Sequence, residues 1–118
     1  IIKIKNFTPN PFPYIRLANA FVLSSTFEGL PNVLLESLVL KKFIISSNCQ
    51  TGPREILLNG KGGLLFDVGN HRELTKKILF LHKNKKKCNQ MLSVAIKNLS
   101  RFDKNLNLNK YFNLINNI

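Results

Sequence analysis

Ser24-Ser25-Thr26-Phe27-Glu28-Gly29-Leu30-Pro31-Asn32-Val33-Leu34-Leu35-Glu36 decides the fold. It reads as the end of a strand, a glycine turn and the start of a helix. The preceding run Phe21-Val22-Leu23 is short and apolar, as a buried parallel strand requires. Gly29 permits a tight turn, and Pro31 suits a first helical position, where its missing N–H has no partner to lose. Val33, Leu34, Leu35, Leu38 and Val39 then supply apolar residues at helical spacing. A helix start after a strand presents free backbone N–H groups and a positive dipole end, which suits a phosphate. Glu28 lies in the loop and Glu36 in the helix, eight positions on. Both are placed to face the crevice at the strand's carboxyl end, where open α/β sheets bind ligands.

Outward from this segment the pattern repeats. Ile1–Lys5 reads as a strand, and Pro11 and Pro13 flank a short helix running to about Asn19. The helix after the glycine turn is expected over Pro31–Lys41. Phe43–Ser46 is a second apolar strand, Ser47–Gly52 a polar loop, Pro53–Leu58 a short helix, and Gly63–Phe66 a last strand after the Asn59-Gly60 turn. Strands alternating with helices at this spacing imply βαβ units and a parallel sheet. Beyond Asn70 the chain reads as helical. Leu74, Ile78 and Leu81 form one stripe; Cys88, Met91, Leu92, Ala95 and Leu99 form a clearer one; Leu108, Tyr111, Phe112 and Ile115 suggest a last amphipathic helix. The expected fold is α/β: a partial Rossmann-like parallel sheet with flanking helices over residues 1–70, followed by a helical tail over 71–118 of the same domain.

Composition narrows the chemistry. At 118 residues there is room for one domain or less. The chain starts on Ile1 and opens directly on an apparent strand, so it reads as a fragment. Cys49 and Cys88 lie far apart with no metal-ligand spacing, which fits small buried thiols in a reducing compartment. No apolar run approaches the roughly 20 residues of a membrane span. The net charge of +12 is uneven: residues 71–118 carry 11 basic and 2 acidic side chains. The densest run is Lys83-Asn84-Lys85-Lys86-Lys87. Such a face is either a solvated helical surface in a lysine-rich chain, a surface for anionic lipid or one that holds a phosphorylated acceptor. Nucleic acid is disfavoured, because lysines outnumber arginines 14 to 4 and no aromatic stacking residues interleave with them.

Glu28-Gly29-Leu30-Pro31-Asn32-Val33-Leu34-Leu35-Glu36 resembles the signature of retaining GT-B glycosyltransferases, specifically the C-terminal, donor-binding domain of glycosyltransferase family 4, whose pattern is close to E-G-x-P-N-x-x-x-E. The resemblance continues through Asn10-Pro11-Phe12-Pro13-Tyr14-Ile15, Gly52-Pro53-Arg54-Glu55-Ile56-Leu57 and Gly60 to Phe66, covering roughly residues 4–80 in order. It implies transfer of a hexose or N-acetylhexosamine from a nucleotide sugar, a UDP-sugar by family habit, to an acceptor hydroxyl with retention. The acceptor would be a glycan or a lipid-linked sugar in bacterial surface polysaccharide synthesis, such as capsule or lipopolysaccharide. The implied setting is the cytoplasm, with possible docking on the inner face of the plasma membrane. The N-terminal acceptor domain and the family's basic pair are expected outside these residues, so the fragment alone should not turn over.

The same resemblance assigns roles. Glu36 takes the ribose hydroxyls of the donor; otherwise it is a surface glutamate paired with Lys41 or Lys42. Glu28, the catalytic candidate, lies near the transferred sugar and binds its hydroxyls or stabilises charge at the anomeric carbon; otherwise it is a loop carboxylate favouring the helix start. Gly29, Leu30, Pro31 and Asn32 form the turn beside the donor, with Asn32 either on a sugar hydroxyl or supporting the first helical turn. Ser25 lines the nucleotide pocket or caps the turn. Arg54 contacts phosphate or bridges to Glu55. No aspartate-x-aspartate pair is present, and the implied chemistry needs no metal and no cofactor beyond the nucleotide-sugar substrate. His71 and His82 read as surface or packing residues. The rival readings are a non-catalytic basic module for anionic lipid or nucleic acid, an inactive glycosyltransferase fragment, and a sugar-nucleotide epimerase of the same architecture.

Overall fold

The computed structural model describes residues 2–116, apart from the side chains of Tyr111 and Ile115. Three strands, β1 (Ala20–Leu23), β2 (Phe43–Ser47) and β3 (Leu64–Phe66), form a parallel sheet in the order β1-β2-β3. Ala20 faces Phe43, and Ile45 faces Leu64. The helices are α1 (Phe12–Leu17), α2 (Asn32–Val39), α3 (Pro53–Ile56), α4 (His71–Lys83), α5 (Lys85–Lys97) and α6 (Lys104–Asn116). Short 3₁₀ turns occupy Leu58–Gly60 and Leu99–Phe102.

All five residues of β2 are buried, as a central strand covered on both faces requires. Its side chains alternate between two cores. Ile44 packs with Leu34, Leu38, Ile56, Leu57 and Ala95, so α2 and α3 cover that face. Phe43 and Ile45 pack with Phe66 and Cys88, and Leu74, Phe80 and Leu81 of α4 cover that face. α5 joins the two: Cys88 lies in one core, Ala95 in the other, and Leu92 touches both. Burial pushes the Cys88 thiol up from its ordinary pKa, against a smaller downward pull from Lys87. The stripe from Cys88 to Leu99 is therefore a set of core contacts. In α4, Leu74 and Leu81 pack inward, whereas Ile78 remains 46% exposed.

Some boundaries depart from the sequence reading. Residues 2–5 form no strand, and Ile2 and Ile4 are 93% and 90% exposed. A strand needs a neighbour to take its backbone groups, and among the described residues β1 pairs only with β2. Ile1 lies outside the described residues. Pro31 is not the first helical residue but the N-cap, with extended backbone (φ −74°, ψ 99°). α1 ends at Leu17 and α3 at Ile56, each shorter than expected. In α6, Leu108 and Phe112 are exposed, while the Tyr111 and Ile115 side chains lie outside the described set.

α2 also stops earlier than Lys41. The Lys42 N–H bonds the Ser37 carbonyl at 2.9 Å, and the Lys41 N–H bonds the Leu38 carbonyl at 2.9 Å. This is the Schellman stop, which places one residue in the left-handed region. That residue is Lys41, at φ 56°, where a glycine would fit without Cβ strain. Lys41→Gly is expected to raise folding stability by about 0.5–1 kcal/mol, net of the added freedom of the unfolded chain. Urea unfolding of the two proteins checks the sign.

Candidate functional site

The site is built where β1 and β2 end side by side. β1 stops at Leu23, and its loop continues through Ser24 and Ser25. The Ser47 hydroxyl, at the end of β2, donates to the Ser25 carbonyl at 2.6 Å. The Cys49 thiol donates to the same carbonyl at 3.2 Å. These buried groups extend the strand pairing past the Leu23–Ser46 register and hold the loop against its neighbour.

Glu28 is oriented from two sides. The Ser25 hydroxyl donates to Glu28 Oε1 at 2.6 Å, within the range of a charge-assisted O–H···O bond. Thr51 Oγ1 donates to the Glu28 carbonyl at 2.7 Å, which ties the loop to the segment after β2. Glu28 and Ser25 are both half-buried. Gly52 completes the tie. Its φ is +79°, and a Cβ there would run into the Gly29 carbonyl oxygen and lie 2.7 Å from Pro31 Cδ. The two loops thus touch backbone to backbone.

Asn32 and Glu36 follow in the first turns of α2, four residues apart on one face. Glu36 is half-buried. Among the described residues the one ion pair is Lys77–Glu73, so Glu36 is bridged to neither Lys41 nor Lys42. The N–H groups of Gly29, Leu30, Asn32 and Val33 have no acceptor among the described residues. Glu28 and Glu36 are thus half-buried carboxylates, one in the loop after β1 and one in α2.

Arg54 stands on the neighbouring α3, exposed, and its Nε donates to Asn48 Oδ1 at 3.0 Å, so it forms no bridge to Glu55. Glu55 instead offers its carbonyl to Arg101 Nη2 at 3.0 Å, linking α3 to the C-terminal helices. An open concavity of about 570 Å³ adjoins the motif through Leu30 and is lined also by Glu55, Arg101 and Lys110. His71 and His82 are exposed on α4. Among the described residues no three His, Cys, Asp or Glu side chains gather as a metal site.

Of the residues that sequence reasoning singled out, Ser25, Glu28, Gly29, Leu30 and Pro31 lie in the loop after β1, Asn32 and Glu36 in α2 and Arg54 in α3, and a hydrogen bond joins Ser25 to Glu28. The same reasoning missed Ser47 and Cys49 as the clamp on Ser25, and Thr51 as the anchor of Glu28. The available signal was Ser46-Ser47 closing an otherwise apolar strand, since hydroxyls buried at a strand end need partners.

With this geometry in hand, the comparisons define the class. The chain matches the family described as "Glycosyl transferases group 1" over residues 2–98, and it belongs to that family. Its fold is that of a GT-B glycosyltransferase fragment: the crystal structure of TarM superposes with a TM-score of 0.78 at 25% identity, over 95% of this chain and 23% of that one. An uncharacterised glycosyltransferase of Methanocaldococcus jannaschii is 54% identical over 48 residues, 41% of this chain and 12% of that protein. The N-acetylgalactosamine-N,N'-diacetylbacillosaminyl-diphospho-undecaprenol 4-alpha-N-acetylgalactosaminyltransferase of Campylobacter jejuni is 32% identical over 73 residues, 62% of this chain and 20% of that protein. The matched stretches thus make up a fifth or less of either relative's length.

Gly52→Ala tests the loop contact on which the site depends. It should cost more than the about 1–2 kcal/mol of a left-handed non-glycine residue alone, because the Gly29 carbonyl must also move. Chemical denaturation measures it, and a cost at or below that range would show that the loops are not locked.

Proposed function

We propose that residues 24–54 hold a nucleotide-sugar donor, and that the protein carrying them transfers its sugar to an acceptor hydroxyl. The observation that carries this reading is the Glu28 carboxylate held by Ser25, followed in α2 by a half-buried Glu36 that has no ion-pair partner among the described residues. A carboxylate can accept two hydrogen bonds from a vicinal diol, and bonds to a charged group are the stronger ones. Glu36, in α2, is assigned to the ribose diol. Glu28, in the loop, is assigned to the transferred sugar, where its charge opposes the positive charge that develops at the anomeric carbon. The open N–H groups of Gly29, Leu30, Asn32 and Val33, with the exposed Arg54, are assigned to the donor's negative charge. No step in this scheme calls for a metal ion.

The finer assignments are part of the same proposal: retention at the anomeric carbon, a UDP-hexose or UDP-N-acetylhexosamine donor, and a glycan or lipid-linked acceptor in surface polysaccharide synthesis at the cytoplasmic side. The family membership supports the reaction class. The Campylobacter relative, whose name specifies a diphospho-undecaprenol-linked acceptor, supports the acceptor class.

Calorimetric titration of the protein carrying this sequence with UDP and UDP-sugars tests the donor site. Glu36→Ala should weaken UDP binding at least about tenfold, as expected for loss of hydrogen bonds to a charged group. Unchanged affinity would remove Glu36 from the ribose. Glu28→Gln should leave UDP binding within about twofold while lowering turnover at least about 100-fold, since it loses charge stabilisation needed only in the transition state. The anomeric configuration of the product, read by NMR, decides retention.

A further inference from the structure

The main chain and the side chain of Ser25 have separate partners. The Ser25 carbonyl accepts from the Ser47 hydroxyl at 2.6 Å and from the Cys49 thiol at 3.2 Å. The Glu28 carbonyl accepts from the Thr51 hydroxyl at 2.7 Å, and Gly52 lies against the Gly29 carbonyl. The segment after β2 therefore holds the backbone from Ser25 to Gly29 without help from the Ser25 side chain. That side chain is engaged elsewhere: its hydroxyl donates to Glu28 Oε1 at 2.6 Å. Among the described residues Glu28 has no ion pair, so this short O–H···O bond is what orients its carboxylate. Glu36 has no such tie among the described residues.

The two carboxylates thus differ in what they can offer a sugar. A carboxylate grips a vicinal diol by turning both oxygens toward it. Glu36 keeps that option, as the ribose diol requires. Glu28 does not, because Oε1 is tied to Ser25 and Oε2 is the oxygen left. We propose that Ser25 is a specificity-determining residue: by occupying Oε1 it makes Glu28 read a single hydroxyl of the transferred sugar through Oε2. The inference rests on the assignment of Glu28 to that sugar. A site that bonds one particular hydroxyl rejects an analogue lacking it, because the partner on the protein is left unpaired. Without the Ser25 hydroxyl the carboxylate is free to turn and to accept from either of two adjacent hydroxyls. The demand for the first one then relaxes.

Calorimetric titration of the protein carrying this sequence tests it without an acceptor. The tightest binder among UDP-glucose, UDP-galactose and their N-acetylhexosamine counterparts is compared with analogues lacking one sugar hydroxyl at a time. In the wild type one deoxygenation should weaken binding at least about tenfold, as loss of a bond to a charged group predicts. Glu28→Ala should erase that penalty and no other. Ser25→Ala should shrink the same penalty at least about threefold and leave the others within about twofold, the pattern of a coupled pair. Ser25→Thr, which keeps the hydroxyl, should keep the penalty. Penalties unchanged in Ser25→Ala would overturn the proposal and leave Ser25 a purely structural role. Shrinkage as large in Ser25→Thr would also overturn it, by assigning the effect to loop shape. Two adjacent penalties erased together by Glu28→Ala would show a grip by both oxygens and sink it as well. Intact UDP binding with no penalty coupled to Glu28 would remove Glu28 from the sugar and leave Glu36 at the ribose. Binding of neither UDP nor any UDP-sugar would instead defeat the donor site as a whole. Circular dichroism confirms that each variant is folded.

Discussion

The contact between Gly52 and Gly29 is the constraint on which the rest of the site depends. Strands β1 and β2 are hydrogen-bonded neighbours, so the loops leaving their carboxyl ends emerge a single strand spacing apart. At that separation a side chain at position 52 would push the first loop away. With no Cβ at position 52, the Gly29 carbonyl and the Pro31 ring close onto the second loop. Thr51 then reaches the Glu28 carbonyl, and Ser47 and Cys49 reach the Ser25 carbonyl.

The loops that carry Glu28 and Thr51 lie at the strand carboxyl ends, beside the starts of α2 and α3. α4 covers one face of the sheet. α5 connects the two cores through Cys88, Leu92 and Ala95, so the C-terminal helices pack as part of the body that carries these loops. Arg101 adds a second link, from the turn after α5 to the Glu55 carbonyl.

The parallel βαβ order, the apolar strand at Phe43–Ser46 and the stripe of α5 were legible in the sequence, but the strand expected to be buried, Phe21–Ser24, is the edge strand β1 with Val22 41% exposed, because among the described strands it has a neighbour on one side only. Each legible feature rests on local periodicity, and periodicity is a property of neighbours in the chain. The pattern from Glu28 to Glu36 was legible for the same reason, because a turn residue and helix-spaced residues lie within one short segment. The expected strand at Ile1–Lys5 shows the limit. Alternating Ile2, Lys3 and Ile4 satisfy the strand pattern, but a strand exists only beside another strand, and none lies beside residues 2–5 among those described. Pro31 shows the same limit on a smaller scale. Its ring fits the first helical position, yet packing against Gly52 coincides with an extended backbone there and moves the helix start to Asn32.

The sequence by itself determined the class of fold and the family, because short-range turn chemistry and side-chain spacing survive in any arrangement of the chain. Tertiary structure alone decided what holds the site. Ser25 meets Ser47 22 positions later, Cys49 meets Ser25 across 24, Thr51 meets Glu28 across 23, and Arg101 meets Glu55 across 46. It also decided which apolar residues of α4 face the core: Leu74 and Leu81 pack there, whereas Leu79 is 51% exposed. These are contacts between distant segments, set by which strands become neighbours and which helix face the sheet covers, and no local pattern encodes them.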